Sequence, residues 1–486
     1  MTTKTMNLND GREVWMNGEK VTDIHAERVF QDTLKIIHRY YELQEEKPET
    51  HLYTEKNGKN YSTTFLTPHS SEELAKKAKA YREIAKESYG MLGRTPDFIN
   101  AGVAILPNYA HVLGKDEHTN YAENITNWAK HVKENDLFIS HALQNPQVDR
   151  SQTLGSLLKS GGSDYAGAWV KGERPDGIIV HGAKMVNTLA PLADELLIFN
   201  TPTLTPEDDA FGLAFALPLN TKGVKTIVRK PNSKYDYSLA DYPLSNAFDE
   251  IDAFIVLEDV FVPWEKVFVY NSWEKSNAFF PESGLFVHTA HQDEVRGLVK
   301  LEFVTSLALR LAKGLGLTNF LRTQEQLGRL TSNLELIRGS VEYSQLSGHF
   351  ENGDVYTPNM QSLLAVRDSL TEFYDEALRL IAEFAGGSIV GIPSAKDLFT
   401  KENGELLKSS LTSPLLSAEE RLLLLNLAWD VTGESFGQRQ RTYEFLHGGN
   451  PMWIKIGHWE NEDLSLGEEM VDTVLSRARE SLNEEK

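Results

Sequence analysis

The 486-residue sequence contains no cysteine. Without a thiol, the chain has no disulfide, thiolate zinc site, cysteine-ligated iron–sulfur cluster or cysteine nucleophile. The sequence also lacks a run of about 18 apolar residues, the length that a membrane-spanning helix needs. Its first residues lack the apolar core of a signal peptide. We therefore expect a cytoplasmic protein that neither spans nor binds a membrane.

Positive charge is scarce as well. Lys and Arg total 49 against 70 for Asp and Glu, which gives a formal net charge of −21. A field of this sign repels phosphate backbones and anionic lipid, so the composition argues against a nucleic-acid partner. A local basic pocket is still compatible with one anionic ligand. The 41% of hydrophobic residues and 24% of charged residues are typical of a globular protein and argue against disorder.

The standard cofactor and catalytic motifs are missing. Gly314 and Gly316 lie inside a helical pattern without a third glycine, so the sequence predicts no nicotinamide-binding fold. It contains no Walker loop, HExxH or GxSxG. His288 and His291 could present two imidazoles on one helix face, but two ligands without a third do not define a metal site. We therefore predict no metal, and interpret these histidines as substrate-facing or helix-surface residues.

The chain is too long for one ordinary core and divides by pattern into three zones. Residues 1–148 are mostly helical in spacing, with helices predicted over 21–46, 70–90 and 122–143. Residues 149–277 are rich in β-forming and turn residues. Their predicted strands are 168–171, 177–181, 195–200, 212–219, 224–229, 251–257 and 266–270. Residues 278–486 carry long amphipathic helices, predicted over 298–327, 327–350, 359–385, 417–436 and 468–482, which indicates an antiparallel bundle.

Three residues have local chemistry that favours a site. Arg94 precedes the start of a predicted helix, where a guanidinium favours an anion; the alternative is an exposed arginine paired with Asp97. His141, at the end of a predicted helix, can act as acid, base or hydrogen-bond donor; the alternative is a histidine that caps helix carbonyls. Thr188 can bond the edge of a heterocycle or simply satisfy the backbone.

A cationic, glycine-bearing stretch lies near the C-terminus. Residues 437–449 contain Arg439, Arg441, Tyr443 and His447. In so acidic a chain this stretch is the best candidate for holding a phosphate, with a solvated helix end as the alternative.

Taken in order, these segments resemble the oxygenase component of two-component, flavin-dependent phenol monooxygenases, a family typified by 4-hydroxyphenylacetate 3-monooxygenase. The resemblance is carried by residues 93–98, 141–150, 182–194, 258–265, 436–439 and 448–451, which spread over nearly the whole chain. It implies an α+β, acyl-CoA dehydrogenase-like fold. This fold has a helical N-terminal domain (1–148), a β-barrel middle domain (149–277) and a C-terminal four-helix bundle (278–486), usually assembled as a homotetramer.

The resemblance also implies the chemistry. A separate NAD(P)H:flavin reductase supplies reduced FAD, which reacts with O2 to form a flavin hydroperoxide that hydroxylates a phenol ortho or para to its oxygen. Arg94 and His141 are the implied catalytic residues, stabilising the flavin or phenolate oxygen and positioning or deprotonating the phenol. Residues 201–212 match a loop that covers the substrate.

The remaining site residues are implied position by position. The predicted substrate-binding residues are Phe98, Asn200, Thr201, His288 and His291. The predicted FAD-binding residues are Gln144, Gln147, Thr188, Gln438, Arg439, Gly448 and Gly449.

Two positions depart from the family pattern. Phe98 stands where the 4-hydroxyphenylacetate enzymes carry a substrate-bonding tyrosine, and Gln438 replaces a glycine. These changes bear on the identity of the phenol more than on the reaction class. The alternatives are an acyl-CoA dehydrogenase-type flavoprotein and a non-catalytic homologue of the same fold. The related radical dehydratases need cysteine ligands, which this sequence lacks.

Overall fold

The computed structural model describes residue 4 and residues 6–484. Within that part of the chain, none of the helices has the length and apolar character required to cross a bilayer. The helices are α1 (Arg28–Glu46), α2 (Pro48–His51), α3 (Ser71–Lys86), α4 (Pro96–Val103), α5 (Leu106–Tyr109), α6 (Tyr121–Asn135), α7 (Leu154–Lys159), α8 (Trp273–Glu282), α9 (Leu285–Gly314), α10 (Leu321–Leu346), α11 (Met360–Ala385), α12 (Gly404–Leu411), α13 (Ala418–Thr432), α14 (Ser435–Leu446), α15 (Pro451–Asn461) and α16 (Ser465–Glu484).

The strands form two larger sheets and two small hairpins. They are β1 (Glu13–Met16), β2 (Glu19–Lys20), β3 (Leu52–Thr54), β4 (Asn60–Ser62), β5 (Ile139–Ala142), β6 (Trp169–Arg174), β7 (Gly177–Thr188), β8 (Glu195–Ile198), β9 (Ala214–Pro218), β10 (Val224–Val228), β11 (Asp252–Pro263), β12 (Val267–Val269), β13 (His349–Glu351) and β14 (Val355–Thr357). All seven strands predicted for the middle of the chain are confirmed, although β7 and β11 run well beyond their predicted ends at 181 and 257.

The N-terminal region is mainly helical, as predicted. The helix predicted over 70–90 is α3, which begins where the Ser70 hydroxyl accepts the N–H of Glu73. The chain leaves this helix through Gly90, whose φ is +73° and whose hydrogens face the backbone of Lys300 on α9. A side chain at Gly90 would lie 2.6 Å from the Lys300 nitrogen, so glycine allows this close approach.

The helix predicted over 122–143 is wrong beyond residue 135. Helix α6 ends there because Asp136 takes a left-handed φ of 45°. The chain then forms β5, in which His141 pairs with Leu197 of the parallel strand β8. The prediction that His141 ends a helix is therefore wrong, because strand pairing with a distant segment overrides the local helical spacing.

The middle of the chain is built from two sheets around one apolar core. The six-stranded sheet has the order β2-β1-β10-β11-β7-β6, and the four-stranded sheet has the order β12-β9-β8-β5. Buried side chains of both sheets, such as Ile178, Val180, Leu197 and Phe215, belong to one core cluster. Because β1 and β5 come from the N-terminal region, the domain boundaries at 148 and 277 stay predictions.

The C-terminal region packs its long helices side by side, with α9 against α10 and α11, and α11 against α13. The single helix predicted over 298–327 is wrong at its end. Helix α9 begins earlier, at Leu285, and stops at Gly314, and a turn with Gly316 at φ +72° leads into α10. This arrangement places the N-terminal half of α9 against α3 and α4, next to Arg94.

Candidate active site

Arg94 lies immediately before α4 and is held through its backbone. The N–H groups of Gly93 and Arg94 both bind the same carboxylate oxygen of Glu250, the latter at 2.9 Å. Glu250 is fully buried. The place that a side chain at Gly93 would occupy is taken by the hydroxyl of Tyr443 on α14, so glycine is required there.

The guanidinium of Arg94 is fixed by hydrogen bonds and by contact with an aromatic ring. Its Nη1 donates to Asp293 Oδ1 on α9 at 3.3 Å and to the Tyr443 hydroxyl. Its central carbon lies 3.8 Å from the centroid of the Phe98 ring, a cation–π contact. Asp97 instead binds Thr95 and Gln292, so the alternative of an exposed arginine paired with Asp97 is wrong.

His141 is half-buried on β5 and faces the same ring. Its centroid lies 5.3 Å from that of Phe98 and 6.5 Å from that of Phe199. Burial, and then the positive charge of Arg94, lower the pKa of His141 to about 3. Among the described residues its imidazole has no hydrogen-bond partner, so a neutral imidazole is free to bond a ligand.

Aromatic rings continue from His141 towards the bundle. The ring of Phe199, just after β8, lies 5.5 Å from those of Phe279 and Phe280 on α8. Phe280 in turn lies 5.2 Å from Phe286 on α9. Sequence reasoning missed these residues because they come from three separate segments of the chain, the end of β8, α8 and α9. Together with Phe98 they give the site the apolar, aromatic surroundings that suit a phenol ring.

Thr188 and Arg439 meet at the carboxylate of Asp252, and Arg439 also binds Glu250; sequence reasoning missed both carboxylates. The Thr188 hydroxyl donates to Asp252 Oδ1 at 2.8 Å, and Arg439 Nη2 donates to the same oxygen at 2.9 Å. Arg439 Nη1 binds Glu250, which also holds the backbone of Arg94. Although burial opposes it, Arg439 holds the pKa of Asp252 below its usual value.

Gln144 and Gln147 lie exposed on the segment that follows β5. The backbone carbonyl of Gln144 accepts the N–H of Met185 at 2.9 Å, where β7 bulges away from β11. The bulge gives Val186 a φ of 56° and leaves it 52% exposed. An exposed amide and an exposed apolar side chain therefore lie on adjoining segments.

The other predicted cofactor residues lie at the two ends of α14. Gln438 is exposed and bonds the carbonyl of Thr432 at 2.7 Å. Gly448 packs on Arg367, where an added Cβ would lie 2.5 Å from Cδ of that arginine, and Gly449 has a φ of 103°. The structure does not bring these three residues into contact with Thr188 or His141.

Among the predicted substrate residues, Asn200 and Thr201 stand after β8. The buried Asn200 side chain accepts a hydrogen bond from Lys184 and donates one to the Phe211 carbonyl at 2.8 Å. Thr201 begins the predicted covering loop, which includes the 3-10 segment Pro206–Phe211. That segment is capped by Thr205 and Asp208.

His288 and His291 are buried on α9, on the side that packs against α3. The ring of His291 lies 5.9 Å from that of Tyr81, and neither nitrogen of His288 has a hydrogen-bond partner within the part of the chain that the structure describes. Burial, and then the charge of Lys77, lower the pKa of His291 to about 3. The structure does not bring either histidine to Arg94 or His141, and their substrate role stays a prediction.

Asp293 is the centre of a buried ionic network behind the site. Its Oδ1 binds Arg94 and Arg296, and its Oδ2 lies 3.2 Å from Arg367 Nη2 and 2.9 Å from His447 Nε2. Asp293, Glu294 and His447 place ligand-type atoms within 4.8 Å of one another, a spacing that a metal could use. Because three guanidinium groups already bind the carboxylates, we interpret this cluster as an ion-pair network.

Comparison with known protein families gives matches over most of the chain. Residues 5–269 match the family model described as 4-hydroxyphenylacetate 3-hydroxylase N terminal, and residues 276–476 match that of the C terminal. The oxygenase component of 4-hydroxyphenylacetate 3-monooxygenase from Geobacillus sp. (strain PA-9) is 31% identical, over 96% of this chain and 94% of that protein. The Thermus thermophilus protein of the same name is 32% identical, over 90% and 89%.

Solved structures agree with these matches. A crystal structure of the oxygenase component of 4-hydroxyphenylacetate 3-monooxygenase, complexed with FAD and 4-hydroxyphenylacetate, is 30% identical with a TM-score of 0.90, and the alignment covers 98% of both chains. A glutaryl-coenzyme A dehydrogenase structure is 12% identical over 89% of this chain and 94% of its own, with a TM-score of 0.50. At that identity the likeness concerns the fold alone, and it agrees with an acyl-CoA dehydrogenase-like architecture.

Proposed function

The chain belongs to the 4-hydroxyphenylacetate 3-hydroxylase family, and on that premise we propose that it is a flavin-dependent monooxygenase that uses reduced FAD and O2 to hydroxylate a phenol. The observation that carries the proposal is the convergence of a buried guanidinium and an unpaired neutral imidazole on one aromatic ring. Arg94 and His141 both face Phe98, at 3.8 and 5.3 Å.

The residues beside His141 fit a flavin. An isoalloxazine has a polar edge and apolar faces, and the segments of Gln144 and Val186 offer an exposed amide and an exposed apolar side chain. We infer that Thr188, Gln144 and Gln147 hold the ring system, with Gln438, Arg439, Gly448 and Gly449 nearer the phosphates and adenine. Reduced FAD, when bound, supplies the electrons with which one oxygen atom of O2 enters the ring and the other leaves as water.

Arg94 and His141 act on the phenol oxygen. The guanidinium favours the phenolate over the phenol, because a positive charge stabilises the charged form. The neutral imidazole of His141 accepts the hydrogen bond of the phenol O–H and fixes the ring orientation. Loss of the phenol proton pushes electron density into the ring, and the ortho and para carbons become nucleophilic. Asp293 Oδ1, which accepts a hydrogen bond from Arg94, keeps the guanidinium in place during this change.

Exclusion of water is the task of the aromatic side chains and the loop. Phe199, Phe280 and Phe286 line up behind His141, and residues 201–212 follow β8 at the same end of the sheet. A site closed in this way limits the loss of activated oxygen as hydrogen peroxide.

A second protein and further copies of this chain complete the proposal. Reduced FAD comes from a separate NAD(P)H-dependent flavin reductase, as the name "oxygenase component" implies for the relatives. Helix α16 has no buried residue, although it carries apolar side chains that include Leu466, Met470, Val474 and Leu475. A helix of this length is only marginally stable alone, so we infer that other copies cover it in a cytoplasmic homotetramer.

The test is hydroxylation under isotopic oxygen. The protein is incubated with FAD, a flavin reductase, NADH and a panel of phenols in ¹⁸O₂, and products are identified by mass spectrometry. Incorporation of one ¹⁸O atom into the ring of at least one phenol supports the proposal. Oxidation of reduced FAD without labelled product from any phenol contradicts it, and favours a dehydrogenase-type or non-catalytic protein.

A further inference from the structure

Lys184, in the middle of β7, is a fully buried lysine surrounded by oxygen atoms. Its ammonium donates to the Asn200 Oδ1 at 2.6 Å, the Asn145 Oδ1 at 2.8 Å and the Phe199 carbonyl at 2.9 Å. The Leu143 carbonyl lies at 3.2 Å. All four oxygens are uncharged, so these bonds hold the ammonium without an ion pair.

Each of these oxygens belongs to a segment of the candidate site. Leu143 is two residues after His141, and Asn145 lies between the predicted cofactor residues Gln144 and Gln147. Phe199 is the ring beside His141. Asn200 connects Lys184 to the covering loop, because its Nδ2 donates to the Phe211 carbonyl near the end of that loop. One ammonium therefore joins the end of β5, the end of β8 and the loop.

We propose that Lys184 is the positioning residue of this site, whose ammonium keeps the ends of β5 and β8 in the alignment that His141, the cofactor segment and the covering loop require. The proposal rests on the proposed function for its catalytic consequence. Lys184 touches neither substrate nor cofactor in this account and acts only through the segments that it holds.

The cost of the arrangement supports a role beyond filling space. Burial lowers the pKa of Lys184 to about 7, because a charged ammonium is poorly solvated at this position. An apolar side chain of the same length would avoid that cost. A precise alignment matters in catalysis, since a displacement of about 1 Å can cost on the order of 100-fold in rate.

Lys77 on α3 is a matched control. It is also fully buried, and burial likewise lowers its pKa to about 7. Its ammonium has one hydrogen bond, to the Leu66 carbonyl at 2.5 Å. Lys77→Met therefore makes the same chemical change in a similar environment, without touching the ends of β5 and β8.

The experiment compares Lys184→Met and Lys77→Met with the wild-type protein. In the cofactor-free proteins, hydrogen exchange followed by mass spectrometry reads the amides of 143–145 and 199–213. With reduced FAD and a phenol that the wild-type protein hydroxylates, the second readout is product formed per reduced FAD consumed. For Lys184→Met we expect the hydrogen-exchange rate of these two segments to rise at least about tenfold. We also expect kcat and product yield to fall about tenfold or more, while KM changes less than about threefold. Lys77→Met should leave the hydrogen exchange of both segments at wild-type values.

Other results contradict the proposal. Wild-type exchange and yield in Lys184→Met overturn it, as does faster exchange spread evenly over the chain. If Lys184→Met does not fold, Asn200→Ala is used instead, because it removes the nearest acceptor of the ammonium and the bond to Phe211. A wild-type product yield in Asn200→Ala overturns the proposal. A reduced yield together with faster hydrogen exchange confined to 143–145 and 199–213 supports it. If the wild-type protein hydroxylates no phenol, the proposed function fails, while the exchange comparison still decides the role of Lys184.

Discussion

Glu250 binds the backbone N–H of Arg94 at 2.9 Å, although the two residues are 156 positions apart in the chain. Its second carboxylate oxygen accepts from Arg439, which also binds Asp252 and, through it, Thr188. The buried Glu250 and the half-buried Asp252 thus connect the segment of the proposed phenol site with that of the proposed flavin site. This relationship gives Glu250 a role that its sequence position does not indicate.

We expect Glu250→Gln to reduce hydroxylation by about tenfold or more while the chain still folds. Each charge-assisted hydrogen bond of this kind contributes about 1.5–3 kcal/mol to stability. The glutamine amide also replaces one acceptor oxygen with an NH2 donor, which cannot bond the N–H groups that Glu250 binds. The measurement is kcat/KM for the best phenol of the panel. Glu342→Gln, on the exposed side of α10, is the control and should behave as wild type. Equal values for both variants would contradict the positioning of Arg94 by Glu250.

Arg94→Ala should abolish hydroxylation and leave the fold intact. The variant loses the positive charge that stabilises the phenolate oxygen, and Arg94→Lys should restore only part of the rate because an ammonium lacks the planar fork. Product yield and circular dichroism are the two measurements. Arg322→Ala removes an arginine side chain that is 77% exposed and serves as the control. Normal hydroxylation by Arg94→Ala would mean that the assigned site is wrong.

His141→Asn should lower kcat by about 100-fold, since it removes the neutral imidazole that accepts the phenol hydrogen bond and orients the ring. It should also change the pH dependence of stability. The folded pKa of His141 is about 3, below its usual 6.5, so the unfolded chain binds more protons between those values. The destabilising contribution of His141 is therefore absent above about pH 6.5 and grows as the pH falls towards 3.

The check is urea unfolding of wild type and His141→Asn at pH 7.5 and at pH 5. The free energy of unfolding should fall less in the variant than in the wild type between these two pH values. An equal fall in both proteins would show that the imidazole is not held neutral in the folded state.

Phe98→Tyr should improve turnover of 4-hydroxyphenylacetate. The substitution adds the hydroxyl that the family resemblance predicts will bond the substrate at this position, and one hydrogen bond contributes about 1 kcal/mol. An increase of about fivefold in kcat/KM is therefore expected. Phe350→Tyr, at a ring that is 61% exposed, is the matched control. No change in Phe98→Tyr would mean that other residues set the substrate choice.

Local patterns in the sequence predicted the elements better than the contacts between them. The strands and most long helices follow from spacing, turn residues and caps such as Ser70. Local spacing predicts a helix for the segment of His141, but the segment forms a strand because it pairs with β8, far along the chain. Strand pairing of that kind leaves no local signal.

For the site too, the sequence indicates individual residues better than the contacts between them. The resemblance gave Arg94, His141 and Thr188 as site residues, and the structure places Arg94 and His141 around Phe98, with Thr188 joined to Arg94 through Asp252, Arg439 and Glu250. Glu250, Asp252 and Lys184 have no motif of their own, because a buried polar residue is recognised by its partners in space. Asn200 was predicted to bind substrate, but its amide is engaged by Lys184 and Phe211.

The most direct test of the central claim is a single turnover. The protein is loaded anaerobically with reduced FAD and each phenol in turn and then mixed with O2, and hydroxylated product and hydrogen peroxide are counted per FAD oxidised. We expect at least one phenol to give close to one product and little peroxide, and Arg94→Ala to give peroxide alone. Peroxide alone from the wild-type protein, with every phenol, would contradict the assignment of this chain as a phenol hydroxylase.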